Sequence, residues 1–306
     1  MNRCIGLLLV AAPLVLAACG DAENGAVSDP DVFRLDLGTF TAPAGESFLC
    51  SYTDTITTRE ISVISAEGIQ GPGGHHLTMY YVDNKRPVGS VPCSGTTEML
   101  DWHFVVGAGG EGMGEGGLVD LAEGLAIKIP AGKQLMVQAH YINASGADQE
   151  VHDWMDIRTT DPSRVKAYAG DFVVLDDTFE IPAHASKEST SICEITEDTQ
   201  LSMLLGHMHE TGTHYKLETL DENGSPLKTL IDNAWQPSYA SHPPVSTFTM
   251  EEPLVIPAGT RLRQTCSWDN TSSTPMLFPT EMCIAFGYYF PGESRRMCER
   301  VDEAAP

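Results

Sequence analysis

From about residue 31 onward the apolar residues of this chain come in short, β-branched or aromatic runs. These runs are LTMYYV, LAIKI, QLMVQAHYI, FVVL, QLSMLLGHMH, YKLETL, PLVI and IAFGYYF, in a chain punctuated by Gly, Pro, Asn and Asp. Runs of that length, with no sustained 3.6-residue period, predict strands throughout and no long amphipathic helix. The expected fold is all-β, built from sandwich or jelly-roll-like domains. A length of 306 residues suits two such domains better than one core. IPAGKQLMV at 129–137 and IPAGTRLRQ at 256–264 each set a Pro-Ala-Gly turn ahead of a strand, a hint that the two halves share an architecture. The polar, turn-rich stretch TTDPSRVKAYAG at 159–170 places the boundary near 165, giving domains at 31–165 and 166–306.

The first 18 residues read as an export signal: Arg3 supplies a positive start, and Ile5 to Ala18 form an apolar stretch too short to span a bilayer and interrupted by Pro13. Leu16-Ala17-Ala18-Cys19 resembles the bacterial lipobox, which implies lipid on Cys19 and a membrane-anchored protein facing the periplasm or cell surface. Residues 19–30 are small, acidic and tether-like. A formal charge of −24 with only 18 Lys and Arg argues against nucleic acid and against an anionic membrane surface, leaving the lipid anchor as the expected membrane contact. Setting aside Cys4 and Cys19 leaves Cys50, Cys93, Cys193, Cys266, Cys283 and Cys298, an even set that predicts three disulfides in an oxidising compartment. Spacing alone does not choose among their pairings. The Gly-rich run at 107–117 lacks the helix and GK[ST] ending of a phosphate cradle and reads as a surface loop.

Five of the 10 histidines fall in three tight contexts, GPGGHHLTMYY, LMVQAHYIN and LLGHMHETG. On an extended strand His207 and His209 project from one face and can share an ion. His75 and His76 are adjacent, and the preceding Gly71-Pro72-Gly73-Gly74 offers the irregular backbone that lets both rings converge. His140 shares a strand face with Met136 and Gln138, opposite Leu135, Val137, Ala139 and Tyr141. Imidazole suits zinc, copper, iron or nickel, whereas a thioether favours Cu(I). Met282, in PTEMCIAFGYYFP, is the candidate thioether, although any methionine is more often core filling. His103, His152, His184, His214 and His242 fit no ligand pattern, and Asn143-Ala-Ser145 and Asn270-Thr-Ser272 match glycosylation sequons that a bacterial lipoprotein would not use.

HHLTMYY, QAHYIN, HMHETG and TEMCIAFGYYFP, in this order, resemble the copper type II, ascorbate-dependent monooxygenases, the family of the peptide-amidating hydroxylase and dopamine beta-monooxygenase. The resemblance covers roughly residues 45–300. It implies two jelly-roll-like β domains facing across a solvent-filled cleft, with two copper ions and ascorbate as electron donor. His75, His76 and His140 correspond to the electron-entry site, and His207, His209 and Met282 to the oxygen-activating, catalytic site. Gln138 and Tyr141 correspond to a cleft-side pattern beside His140. The family pairing implies Cys50–Cys93, Cys193–Cys298 and Cys266–Cys283. The implied reaction inserts one atom of dioxygen into a substrate C–H bond.

Where amidating enzymes hold a peptide carboxylate, this chain has Leu205, Ile284 and Phe286. The expected substrate is therefore a small apolar or aromatic molecule rather than a peptide. The alternative is a non-catalytic, surface-tethered lipoprotein that stores, senses or transfers copper. A third reading, a β-rich interaction module whose histidines hold zinc or nothing, stands behind both.

Overall fold

The computed structural model describes residues 31–93, 102–108, 121–240 and 242–301. The export segment, Cys19, the tether and residues 109–117 of the Gly-rich run lie outside the described residues. No α-helix occurs among the described residues, so none there is long and apolar enough to cross a membrane.

The chain forms two tandem jelly-roll-like β-sandwiches. The first contains β1 (Val32–Ala42), β2 (Gly45–Ile56), β3 (Ile61–Ile69), β4 (Gly74–Val82), β5 (Gly89–Pro92), β6 (Trp102–Ala108), β7 (Leu125–Ile129), β8 (Gln134–Asn143), β9 (Gln149–Thr160) and β10 (Ala167–Tyr168). Its sheets have the orders β1-β9-β3-β7-β10 and β5-β2-β8-β4-β6. The second contains β11 (Gly170–Leu175), β12 (Glu180–Ile181), β13 (Ala185–Glu194), β14 (Thr199–His207), β15 (Gly212–Leu220), β16 (Pro226–Ala234), β17 (Val245–Thr247), β18 (Leu254–Ile256), β19 (Arg261–Asn270), β20 (Met276–Leu277), β21 (Ile284–Phe290), β22 (Arg296–Met297) and β23 (Glu299–Arg300). Its sheets run β17-β14-β21-β11-β22, with β18 also on β14, and β16-β15-β19-β13-β23. The sheets change at Ala169: Ala167 and Tyr168 find their backbone partners on β7 of the first sandwich, and β11 opens the second.

The two IPAG phrases open equivalent strands, β8 and β19. Gly132 and Gly259 both take the left-handed conformation that the turn requires, with φ of 82° and 79°. The strands also end alike: Asn143 donates to the carbonyls of Ala42, Pro43 and Ala147, and Asn270 to those of Ile181, Pro182 and Thr274. Both asparagines are buried, so the two sequons serve as internal clamps that hold a strand end to the neighbouring loops.

Alternation along β8 sorts its residues as the sequence suggests. Leu135, Val137, Ala139 and Tyr141 enter the main core, while Met136 joins Tyr52, Tyr80, Val82 and Trp102 on the other face. In the second sandwich one face of β14 and β21 turns toward the first domain. Met203, Leu205, Tyr288 and Phe290 are buried in the same cluster as the first domain's core, with Phe286 packed against it. Phe286 meets Phe104 edge-on at 4.8 Å, and the Tyr288 hydroxyl donates to the Val105 carbonyl at 3.1 Å. Each large apolar side chain buried in this seam contributes about 1.5–3 kcal/mol.

The disulfides are Cys50–Cys93, Cys193–Cys298 and Cys266–Cys283, the pairing the resemblance implies. Three bridges suit an oxidising, exported environment. The last spans a separation of 17 residues and ties β19 to the segment that carries Met282. Replacing Cys266 and Cys283 together by Ser is expected to lower unfolding stability by about 3 kcal/mol in a denaturant titration. A change below about 1 kcal/mol would contradict a constraining role for this bridge.

Candidate metal centre

The first histidine set is assembled by a slipped register. β4 pairs with β8 as Gly74↔Tyr141 and then His76↔His140, so His75 is the extra residue of a bulge. The turn before it is tight: the Gly74 amide donates to the Gly71 carbonyl at 3.0 Å, and a Cβ on Gly74 would fall 2.3 Å from Gln70 Cβ. The bulge lets adjacent rings converge, with His75 Nδ1 and His76 Nδ1 2.9 Å apart. The His140 ring lies 4.5 Å from that of His75 and 4.9 Å from that of His76. One ligand atom from each of the three falls within 4.8 Å of the others.

His140 is 1% exposed, stacks on Phe48 at 4.0 Å, and donates from Nε2 to Glu46 Oε1 at 3.0 Å. That bond leaves the Nδ1 lone pair free, and Nδ1 is buried without a hydrogen-bond partner. An orphaned buried acceptor facing two further imidazoles fits a metal ion, and a carboxylate behind the coordinating ring is the usual support for such a ligand. Burial, with the neighbouring imidazoles, pushes His75 down to about 3 and His76 well below the usual imidazole range. Burial lowers His140 as well, against the pull of Glu46. All three are thus neutral and ready to coordinate at neutral pH.

The second set stands at the end of β14. His207 pairs with Ile284, and the chain beyond turns so that the His207 and His209 rings lie 5.2 Å apart at 79°. His209 Nδ1 donates to the Thr280 carbonyl at 2.8 Å, which fixes its tautomer and leaves Nε2 for a ligand. Burial pushes His207 well below its usual value. Met282 follows directly on this segment, its amide 3.2 Å from Glu281 Oε2.

Glu281 is the residue that builds this set, and no sequence motif singles it out. It is 1% exposed and accepts from the amides of His209 at 3.0 Å and Thr211 at 2.9 Å, the Thr211 hydroxyl at 2.7 Å, and Trp268 Nε1 at 3.1 Å. In the first sandwich the fully buried Asp153 has a similar part, accepting from the Tyr141 hydroxyl at 2.5 Å and the Gly71 amide at 3.1 Å. Gln70 Nε2 donates to the His140 carbonyl at 3.2 Å.

The two sets meet. His140 and His209 ring centroids are 5.9 Å apart, and His75 Nε2 lies 3.6 Å from Glu210 Oε1 of the second sandwich. The sets are therefore in ring contact at the domain seam, whereas the resemblance implies a solvent-filled cleft between them. His242, in the loop before β17, is near enough to His75 to add to its electrostatic load.

Other expectations are placed differently. Tyr141 points into the core toward Asp153, on the strand face opposite His140, so it does not reach the cluster. Gln138 shares the His140 face but takes its hydrogen bond from Thr78 at 3.4 Å. Leu205 and Phe286 pack into the seam against the first sandwich rather than lining an open substrate space, because their strand face is the one the first domain covers. Ile284 sits partly exposed opposite His207. His103, His152 and His214 face Asp83, Asp36 and Asp232 at the surface, and His184 contacts the Thr271 carbonyl.

No family model and no curated protein matches the chain. Among solved structures it is similar to a chain of Sulfolobus Turreted Icosahedral Virus, at 10% identity and a TM-score of 0.24 over 84% of this chain and 59% of that one. It is also similar to the major capsid protein P2 of Bacteriophage PM2, at 7% identity and TM-score 0.28, covering 85% of this chain and all of that one. A third likeness is to infectious bursal disease virus Gx strain, at 7% identity and TM-score 0.21, over 88% and 74%. At these scores the likenesses carry no argument about function.

Two outcomes follow for the metal-free protein. His75, His76, His140 and His207 bind fewer protons folded than unfolded between their lowered values and the usual 6.5. Their contribution is complete above about 6.5 and is lost as pH falls through their lowered values, about 3 for His75. Urea midpoints should therefore drop steadily on acidification below 6.5 and stay flat just above it; flat midpoints down to pH 4 would contradict the buried neutral imidazoles. Glu281→Ala strands several buried donors and should cost about 3 kcal/mol or more in thermal unfolding. A cost under about 1 kcal/mol would remove Glu281 as the organiser of the second set.

Proposed function

We propose that the chain is a copper-dependent monooxygenase of the ascorbate-dependent kind, exported and tethered to a membrane through lipid on Cys19. The observation that carries this reading is the buried, unpartnered His140 Nδ1 facing the His75 and His76 rings, with a second histidine pair abutting it. The disulfide pairing agrees with the same resemblance. His75, His76 and His140 hold the electron-entry ion, and His207, His209 and Met282 the oxygen-activating one. Bound copper would supply one-electron chemistry and dioxygen activation, with ascorbate as reductant. The protein's own part is to keep His75, His76, His140 and His207 neutral by burial, fix the tautomers of His140 and His209 through Glu46 and the Thr280 carbonyl, and hold the two sets side by side. Ile284, next to His207, is the candidate for contact with a small apolar or aromatic substrate.

The contact between the two sets favours a second reading. With His140 and His209 rings 5.9 Å apart, the space between the sets is small, as suits a lipoprotein that stores, senses or transfers copper without turnover. Copper titration with ascorbate-driven oxygen uptake separates the two readings. The expected result is two copper ions per chain, reduced to one by His140→Ala or by His207→Ala, and substrate-coupled oxygen uptake that Met282→Ile abolishes. Two bound ions with no oxygen uptake on any apolar substrate favour the carrier, and no bound copper contradicts both.

A further inference from the structure

The carboxylate of Glu210, in the second sandwich, reaches the first domain's histidine set. It follows His209 in the turn closed by the Gly212 amide and the His209 carbonyl at 3.2 Å. Glu281 fixes that turn on both sides of Glu210, through the amides of His209 and Thr211. The Glu210 side chain is thereby aimed across the seam, where Oε1 lies 3.6 Å from His75 Nε2. The His75 side chain is 9% exposed, and its Nδ1 is taken up by the approach to His76 Nδ1. Its outward nitrogen thus meets one carboxylate, as that of His140 meets Glu46.

Resting on the copper reading above, we propose that Glu210 is a positioning residue for the first domain's copper ion, so that this site is completed by the second domain. Glu46 and Glu210 have parallel parts on two rings: Glu46 accepts from His140 Nε2–H and Glu210 stands to accept from His75 Nε2–H, so that each fixes the tautomer with Nδ1 as the ligand atom and raises the basicity of the ring. At 3.6 Å the contact is short of a hydrogen bond, and the half-exposed Glu210 side chain closes the gap by a small torsional change once Nδ1 is engaged. A more basic imidazole favours Cu(II) over Cu(I), so Glu210 lowers the reduction potential of the first site from the neighbouring domain. The second sandwich then sets both the affinity and the electron-donating strength of an ion that it does not itself ligate.

The test uses the His207→Ala protein, in which copper is confined to the first site, and compares it with the same chain carrying Glu210→Ala, Glu210→Asp or Glu210→Gln. Cu(II) and Cu(I) affinities are measured by competition, together with the Cu(II) paramagnetic resonance spectrum. Glu210→Ala is expected to weaken Cu(II) binding about tenfold with Cu(I) binding unchanged, which raises the potential by about 59 mV for a one-electron couple. Glu210→Asp, with a withdrawn oxygen, should fall in between, and Glu210→Gln, whose amide oxygen still accepts, should restore most of the affinity. Should the Ala chain fail to fold, the Asp and Gln pair carries the same comparison. Copper bound with equal affinity and an unchanged spectrum in the Ala and Asp variants overturns the role of Glu210 alone. A His207→Ala protein that binds no copper overturns the copper reading and this inference together.

Discussion

The apolar seam between the two sandwiches is the constraint on which the candidate centre depends. One face of β14 and β21 is given to the first domain: Met203, Leu205, Phe286, Tyr288 and Phe290 all pack with its core. His207 and Ile284 continue those same faces beyond the apolar residues, so the end of the seam is where imidazoles appear. Burying the seam therefore fixes the distance between two histidine sets whose strands share no backbone hydrogen bond. The contact between His140 and His209 lies at the end of that packed seam.

Within each domain a buried carboxylate connects the segments that bear the histidines. Glu281 gathers the chain after β14 and the Met282 segment around one acceptor, with Trp268 as a further donor. Asp153 gathers the Gly71 turn and Tyr141. Burial raises the Asp153 pKa, opposed by its hydrogen bonds to Tyr141 and Gly71. A buried acceptor with several donors has one good arrangement and many poor ones, so it orders loops that the ladders of the sheets leave free. Beyond them, Glu46 accepts from the His140 ring, and Glu210 stands 3.6 Å from His75.

Much of this was legible in the sequence where a short-range rule applied. The strand runs gave the fold class, the alternation of QLMVQAHYIN placed His140 opposite Tyr141, and Gly71-Pro72-Gly73-Gly74 marked the bulge that brings His75 and His76 together. The repeated IPAG turns marked β8 and β19 as equivalent. What the sequence left open depends on partners far along the chain. Glu281 and Asp153 are lone acids whose donors come from other strands. Leu205 and Phe286 are apolar and suit a substrate pocket or a domain seam equally well, until the face that the first sandwich covers is known. The strand at 167–168 is too short to be recognised before β7 is in place.

In the proposed copper reading, five imidazoles and one thioether hold two ions at a domain seam. X-ray absorption at the copper edge of the Cu(I)-loaded protein reads the ligand set directly. The expected spectrum has nitrogen scatterers with the outer-shell pattern of imidazole on both ions and one sulfur scatterer per two copper ions, the sulfur vanishing in Met282→Ile. A spectrum with no sulfur in the parent protein, or with sulfur that persists in the variant, would contradict it.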